Sequence, residues 1–127
     1  MKFTQKNGAA AGTFLPFLVG DEEITLTSVL LPDTSPGDRI VLKMEIAWDK
    51  PPHWDTGELE VILRRDAPSG PLIYWTLESC FLKARYVESE TVQAQGGTQL
   101  FYLSVRSKEQ RARIIGPYSL QGTVYDT

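Results

Sequence analysis

The segment with the densest set of chemically useful side chains is residues 48–57 (WDKPPHWDTG), which holds two tryptophans and the single histidine of the chain. Prolines stiffen such a loop and hold aromatic faces in place at low entropic cost. Carboxylates beside them accept hydrogen bonds from hydroxyl groups. The segment therefore predicts a ligand-binding loop for a sugar ring or a partner surface, formed by Trp48, Asp49, His53, Trp54 and Asp55.

Packing is the alternative interpretation of the same loop, with Trp48 covering the core and Trp54 lying on the loop prolines. A metal site there would use His53 with Asp49 and Asp55. Tight zinc sites need three or four ligands of fixed geometry, and the sequence has neither a second histidine nor a pair of cysteines. We therefore predict no metal and no cofactor.

Nucleophilic catalysis needs a base beside the nucleophile, and no catalytic signature surrounds Cys80 or the only histidine, His53. Cys80 lies beside apolar residues, which favours a buried structural thiol. Neighbouring carboxylates such as Glu58 and Glu60 are predicted to be solvated, whereas acid–base catalysis requires surroundings that separate two pKa values. We predict a protein that is not an enzyme.

The composition is that of an ordinary soluble domain. The chain has 127 residues, of which 42% are apolar and 23% are charged. These values fit one globular domain and exclude a disordered acidic chain, a collagen repeat and a disulfide scaffold. Thirteen basic and sixteen acidic residues give a net charge of -3, so we predict no nucleic-acid partner.

One basic cluster lies near the C-terminus and contains Arg106, Lys108, Arg111 and Arg113. It lacks the interleaved aromatic side chains on which single-stranded nucleic acids stack. We predict a solvated, charged turn that blocks edge-to-edge pairing of strands.

The N-terminal part carries little structural signal. The longest apolar-leaning run, residues 9–19, contains Gly12 and Pro16 and is shorter than the roughly 20 residues of a spanning helix. We expect no membrane span and no clear signal peptide. Residues 1–12 are predicted to be a flexible tail, and residues 13–127 a single domain.

The main signal for secondary structure is a period of two residues. In residues 39–48 (RIVLKMEIAW) five large apolar side chains share one side: Ile40, Leu42, Met44, Ile46 and Trp48. Side chains alternate between faces in a strand, whereas a helix would scatter this set around its axis. The segment is predicted to be a strand with one face on the core.

Six further segments read as strands, the second with less regular alternation: residues 13–19, 23–31, 58–64, 71–81, 99–106 and 118–124. Residues 87–94 (VESETVQA) are a polar eighth candidate near a sheet edge. In residues 71–81 we assign Ile73, Trp75, Leu77 and Phe81 to one face, taken as the core face, and Tyr74, Thr76 and Glu78 to the other. The QGGT loop at residues 95–98 predicts a hairpin between residues 87–94 and 99–106.

Eight closely spaced strands without helices between them imply antiparallel pairing, because parallel strands need long crossover connections. One apolar face per strand implies two sheets packed face to face. The predicted fold is all-β: an antiparallel β-sandwich, jelly-roll-like, with about eight strands.

A second candidate surface follows from the strand faces. Tyr74, Thr76 and Tyr102 are assigned to faces opposite the core, and Arg64 lies near them in the pattern. Tyrosine is enriched at interfaces because it buries a large area and keeps a polar group. These four residues are a predicted oligomer interface, with an ordinary exposed strand face as the alternative.

Several short motifs follow one another in a recognisable order: GDRIVL at residues 37–42, LRR at 63–65, GPLI at 70–73, FYLSV at 101–105 and IIGPYSLQGT at 114–123. Across residues 13–125 this pattern resembles the small domains of exosporium and spore-surface proteins of spore-forming bacteria, which are similar to the tumour-necrosis-factor/C1q jelly roll. The resemblance implies a sandwich that forms trimers through aromatic residues, with a structural or binding role. The tryptophan-bearing loop at residues 48–55 is longer than the corresponding loop in those spore-surface domains.

The predicted function is a non-catalytic structural or assembly module of a bacterial surface or spore layer, as a homotrimer. Two alternatives stay open: a carbohydrate-binding module that uses the loop tryptophans, and a phage or virion accessory protein. The expected partners are further copies of the chain, a glycan or another surface protein.

Overall fold

The computed structural model describes residues 1–126, which form nine β-strands and no helix. The strands are β1 (Phe3–Ala9), β2 (Phe17–Val19), β3 (Ile24–Thr34), β4 (Arg39–Asp49), β5 (Gly57–Arg65), β6 (Leu72–Cys80), β7 (Lys83–Gln93), β8 (Gly97–Arg106) and β9 (Ala112–Tyr125). The predicted all-β class and antiparallel sandwich are confirmed.

The strands pair in a nested order. β2 pairs with β9, β3 with β8, β4 with β7 and β5 with β6, all antiparallel. The chain is therefore one long hairpin wrapped over itself, which is the jelly-roll arrangement. One sheet has the order β1-β9-β4-β7, with β2 beside β9, and the other has the order β3-β8-β5-β6.

The core lies between the two sheets, and β4 explains how it forms. All five apolar residues predicted for its inner face, Ile40 to Trp48 in steps of two, are fully buried. β4 is flanked by β9 and β7, so its backbone polar groups are satisfied within the sheet. Phe101, Leu103 and Val105 of β8 face it from the other sheet and are also fully buried.

The N-terminal segment contains a strand, so the prediction of a flexible tail at residues 1–12 is wrong. β1 lies within that segment and pairs with β9 over seven consecutive residues, from Phe3 opposite Val124 to Ala9 opposite Tyr118. The sequence of β1 is mostly polar, so it carries no hydrophobic alternation. Its backbone hydrogen bonds to β9 hold it in place instead.

Two smaller differences concern strand limits and connections. The strand predicted at residues 13–19 is confined to Phe17–Val19. The predicted hairpin between residues 87–94 and 99–106 is wrong, because β7 pairs with β4 and β8 pairs with β3 and β5. The glycine loop, with Gly96 and Gly97 at positive φ, instead carries the chain from one sheet to the other.

No helix capable of crossing a membrane occurs within residues 1–126.

Candidate functional site

Trp48 belongs to the core and not to the predicted ligand-binding loop. Its side chain is 0% exposed, and a Cβ added at Gly57 would lie 3.0 Å from its Cζ3 atom. The alternation of β4 turns Trp48 to the same side as Ile46, between the sheets. A buried indole has no face for a sugar ring, so the assignment of Trp48 to a binding site is wrong.

Trp54 and His53 lie in the loop between β4 and β5. The guanidinium carbon of Arg111 lies 4.5 Å from the centroid of the Trp54 ring. The centroid of the His53 ring lies 5.6 Å from the same Trp54 centroid. Trp54 is half-buried, whereas His53 and Asp55 are exposed. The arginine covers part of the indole by a cation–π contact, so less of the ring remains for a ligand.

Asp49 takes part in an ion pair. Its two carboxylate oxygens accept hydrogen bonds from Nε and Nη2 of Arg113 at 2.9 and 2.7 Å. The hydrogen bond to Asp49 raises the pKa of the Arg113 guanidinium further above its usual value. The structure thus brings Asp49 to the end of β4, but both of its oxygens already have a strong partner.

The predicted basic cluster is largely neutralised. Arg113 pairs with Asp49, and Arg106 and Arg111 pair with glutamates of β5. Lys108 is exposed in the turn before β9. Two of these ion pairs join residues directly opposite each other on neighbouring strands, Asp49 with Arg113 in one sheet and Glu60 with Arg106 in the other.

Metal binding and thiol chemistry find no arranged groups within residues 1–126. No set of three or more histidine, cysteine, aspartate or glutamate side chains there is arranged to hold a metal ion. Cys80 is buried at the end of β6. Burial raises the pKa of its thiol above the usual value, which lowers the thiolate fraction at neutral pH.

The four residues of the predicted oligomer interface do not share one surface. Arg64 and Tyr102 lie directly opposite each other on β5 and β8, on the outer face of the four-stranded sheet. Tyr74 and Thr76 instead face the inner side. The hydroxyl of Tyr86 on β7 donates a hydrogen bond to the Tyr74 hydroxyl at 3.0 Å, so Tyr74 bridges the two sheets.

The face assignment of β6 is therefore corrected. Thr76 lies opposite Val61, and Tyr74 opposite Leu63, and both partners on β5 are fully buried core residues. Residues directly opposite in a sheet share a face, so Trp75 and Leu77 point outward. Both faces of this strand carry large side chains, and the sequence pattern alone favoured the wrong one.

Charged side chains on the outer face of the four-stranded sheet are paired. Glu60 accepts hydrogen bonds from Nε and Nη2 of Arg106 at 2.8 and 2.7 Å and from Nε1 of Trp75 at 3.0 Å. Glu23 forms a matching two-point pair with Arg64, with both distances 2.8 Å. These arginine contacts lower the pKa of both glutamates, so the carboxylates stay ionised and compensated.

An exposed row of large apolar side chains runs along β6 and into the turn that follows it. We call it the β6 apolar row: Trp75 (49% exposed), Leu77 (51%), Phe81 (83%) and Leu82 (68%). A cleft of about 250 Å³ is lined by Trp75 and Leu77 at the start of the row together with Glu60 and Arg106. A contiguous exposed apolar row differs from the single exposed apolar residues that are normal on protein surfaces.

The backbone edge beside the row is open within the described part of the chain. β6 is the last strand of its sheet and pairs with β5 on one side. The opposite edge strand, β3, has β1 next to it, and Nδ2 of Asn7 donates a hydrogen bond to the Ser28 carbonyl at 3.2 Å. Within the four-stranded sheet, the described residues thus leave the β6 edge, with its exposed apolar side chains, uncovered, whereas β1 lies beside the β3 edge.

Comparisons with known proteins give little further information. No family model matches the chain, and no curated protein matches it. Among solved structures, the chain is similar to part of dimeric latent PorU from Porphyromonas gingivalis, with 15% identity and a TM-score of 0.44. That alignment covers 94% of this chain and 14% of the PorU chain. A likeness at this level carries no argument about function.

Proposed function

We propose that this protein is a non-catalytic assembly module that associates with further copies of itself in a bacterial surface or spore layer. The observation that carries the proposal is the β6 apolar row on an open sheet edge. Leaving such side chains in water is unfavourable by about 25 cal/mol for each Å² of apolar surface. Contact with another chain removes that cost.

The surroundings of the row favour a protein partner over water. Two of the charged side chains that line the cleft beside the row, Glu60 and Arg106, already pair with each other, so docking over them buries a compensated pair. Trp75 is tied to Glu60 by its indole nitrogen, and a side chain held in one position loses little entropy on binding.

The location and the copy number in this proposal come from the resemblance to spore-surface domains. That resemblance implies three copies. The exposed row supports self-association whatever the number of copies in the assembly.

Light scattering of the purified chain tests the proposal. The monomer has a mass of 14.2 kDa, and mass action drives association as concentration rises. We expect a mass that is a multiple of this value at concentrations of about 10–100 µM. A single monomer mass throughout this range would overturn the proposal.

A carbohydrate-binding function at the loop is the second candidate, and it now depends on Trp54. Among the described residues, Nε1 of Trp54 is buried without a hydrogen-bond acceptor, and an unpaired buried donor gains free energy when a ligand hydroxyl that reaches it accepts its proton. Titration with a panel of glycans should shift tryptophan fluorescence in the wild type and not in Trp54→Phe. An unchanged spectrum across the panel would remove this candidate.

A further inference from the structure

We infer that β6 pairs antiparallel with β6 of a second copy around a twofold axis at Thr76, joining the two four-stranded sheets into one of eight strands. This inference rests on the proposed self-association and specifies its surface, register and copy number. It replaces the threefold expectation by a twofold one, because a strand paired with its own copy has no free edge left.

The first support is the composition of this edge, where a bulge at Ile73 and the inward-facing Glu78 are the protective features within β6. Proteins guard exposed edge strands with lysine, proline, bulges or a covering segment. β6 (Leu72–Cys80, LIYWTLESC) contains no lysine, arginine, proline or glycine. On the other edge of the same sheet, β1 supplies the cover. The chain thus covers one edge of this sheet and leaves the other uncovered.

The second support is the register. With the axis at Thr76, the regular part of β6 from Tyr74 to Glu78 pairs with the same residues of the second copy, and the bulge at Ile73 interrupts the ladder beyond it. Trp75 then lies opposite the second copy's Leu77, and Leu77 opposite the second copy's Trp75. Aromatic–aliphatic pairs directly across two strands stabilise a sheet by about 0.2–1 kcal/mol each.

Neighbouring registers lose these contacts. Moving the axis to Leu77 pairs that residue with its own copy and sets Trp75 against the second copy's Ser79. Moving it to Trp75 stacks the two indoles on the axis but sets Leu77 against the second copy's Ile73. Ile73 is held at a bulge, since the register between β5 and β6 shifts next to it. The Thr76 axis alone matches both exposed apolar residues of the outer face.

Charge is compatible with the same arrangement. On the outer face, Trp75 and Leu77 are uncharged. On the inner face, the acidic residue Glu78 lies opposite the second copy's Tyr74 and not opposite its own copy. Like charges directly across two strands are destabilising, and the Thr76 axis avoids that contact.

The ends of the strand agree with this register. Leu72 is 53% exposed at one end, and Phe81, the most exposed residue of the β6 apolar row, follows Cys80 at the other end. Antiparallel pairing brings Phe81 of each copy next to Leu72 of the other copy, so the same contact occurs at both ends of the paired strands. The rows of the two copies then lie side by side across the axis.

The experiment combines a mass measurement with a cross-link. Leu77→Lys introduces the charge that natural edge strands use for protection. Its matched control is Val87→Lys on β7, an apolar residue with similar exposure (47%) on the edge strand of the other sheet. We expect a wild-type mass of twice 14.2 kDa, at least a tenfold weaker association for Leu77→Lys, and no change for Val87→Lys.

The cross-link keeps the test informative if Leu77→Lys fails to fold. Residues opposite each other across antiparallel strands have Cα atoms about 4.5–5.5 Å apart, within the range of a disulfide. In a Cys80→Ser background, Thr76→Cys should form a covalent dimer on mild oxidation. Ser79→Cys should not, because the Thr76 axis sets Ser79 against Ile73 and far from its own copy.

The outcomes separate this inference from the proposed function. A trimer, a dimer unaffected by Leu77→Lys, or equal cross-linking at Thr76 and Ser79 would overturn the β6 pairing and leave self-association standing. A protein that stays monomeric up to about 100 µM would overturn both. A dimer that is weakened by Leu77→Lys and cross-linked through residue 76 alone supports the inference.

Discussion

Nε1 of Trp75 donates a hydrogen bond of 3.0 Å to Oε1 of Glu60, a carboxylate that also binds Arg106 through two further hydrogen bonds. Glu60 is 5% exposed although it lies on the outer face of its sheet. The half-exposed indole of Trp75 is therefore held by a buried, compensated charge, and its position on β6 does not depend on solvent contacts.

The first prediction concerns this buried carboxylate. Glu60→Gln removes the negative charge to which Arg106 and Trp75 donate hydrogen bonds. A hydrogen bond to a charged group contributes about 1.5–3 kcal/mol to the free energy of unfolding. We expect the free energy of unfolding to fall by about 2 kcal/mol in urea titrations at pH 7. Glu22→Gln, at an exposed residue, is the control and should change it by less than about 0.5 kcal/mol.

The second prediction is the pH dependence of the same pair. The hydrogen bond to Arg106 lowers the pKa of Glu60 below its usual value, against the opposing effect of burial. The ionised form therefore stabilises the fold fully above the unfolded pKa of about 4.3, and this contribution is lost as pH falls through the folded pKa. The stability difference between wild type and Glu60→Gln should be constant from about pH 7 to 5 and shrink below about pH 4. A difference that grows on acidification would contradict it.

The third prediction tests whether β1 is part of the sandwich. A Cβ at Gly8 would clash with the backbone carbonyl oxygen of Tyr118 on β9, and backbone cannot move aside cheaply. Gly8→Ala should destabilise the protein by about 1–3 kcal/mol in thermal or urea unfolding. Gly20→Ala, where no atom lies within 4 Å of the added carbon, is the matched control. Equal stability of the two variants would mean that β1 does not pack as described.

The fourth prediction distinguishes the two tryptophans of the β4–β5 region. Trp48→Ala empties a fully buried site and should cost about 3–5 kcal/mol of unfolding free energy. Trp54→Ala mainly removes the contact with Arg111, which is expected to cost about 0.5–2 kcal/mol. Denaturant titration of both variants measures this order. The reverse order would return Trp48 to the candidate ligand site.

The fifth prediction concerns the thiol of Cys80. Its burial, and to a lesser degree the charge of Asp49, raise its pKa, so both access and thiolate fraction are low. We expect a thiol-specific reagent at pH 8 to react at least about tenfold more slowly with the folded protein than with the chain in urea. Equal rates in both states would show that the end of β6 opens readily.

The amino-acid sequence by itself determined the fold class. In β4 the large apolar residues alternate with mostly polar ones, and a strand in the middle of a sheet must bury one face. Ile40 and Met44 are accordingly fully buried. The turn residues between such segments then required antiparallel neighbours. Alternation and turn residues are local properties of the chain, so they predict strands whatever the order of those strands in the sheets.

The tertiary structure alone decided which surface is exposed. β6 carries large side chains on both faces, so its period does not identify the inner one; pairing of Thr76 with Val61 and of Tyr74 with Leu63 does. β1 is polar and is held through backbone pairing with β9, a contact between the two ends of the chain that no local pattern records. Trp48 and Trp54 are near neighbours in sequence, and only packing between the sheets separates a buried indole from a half-buried one.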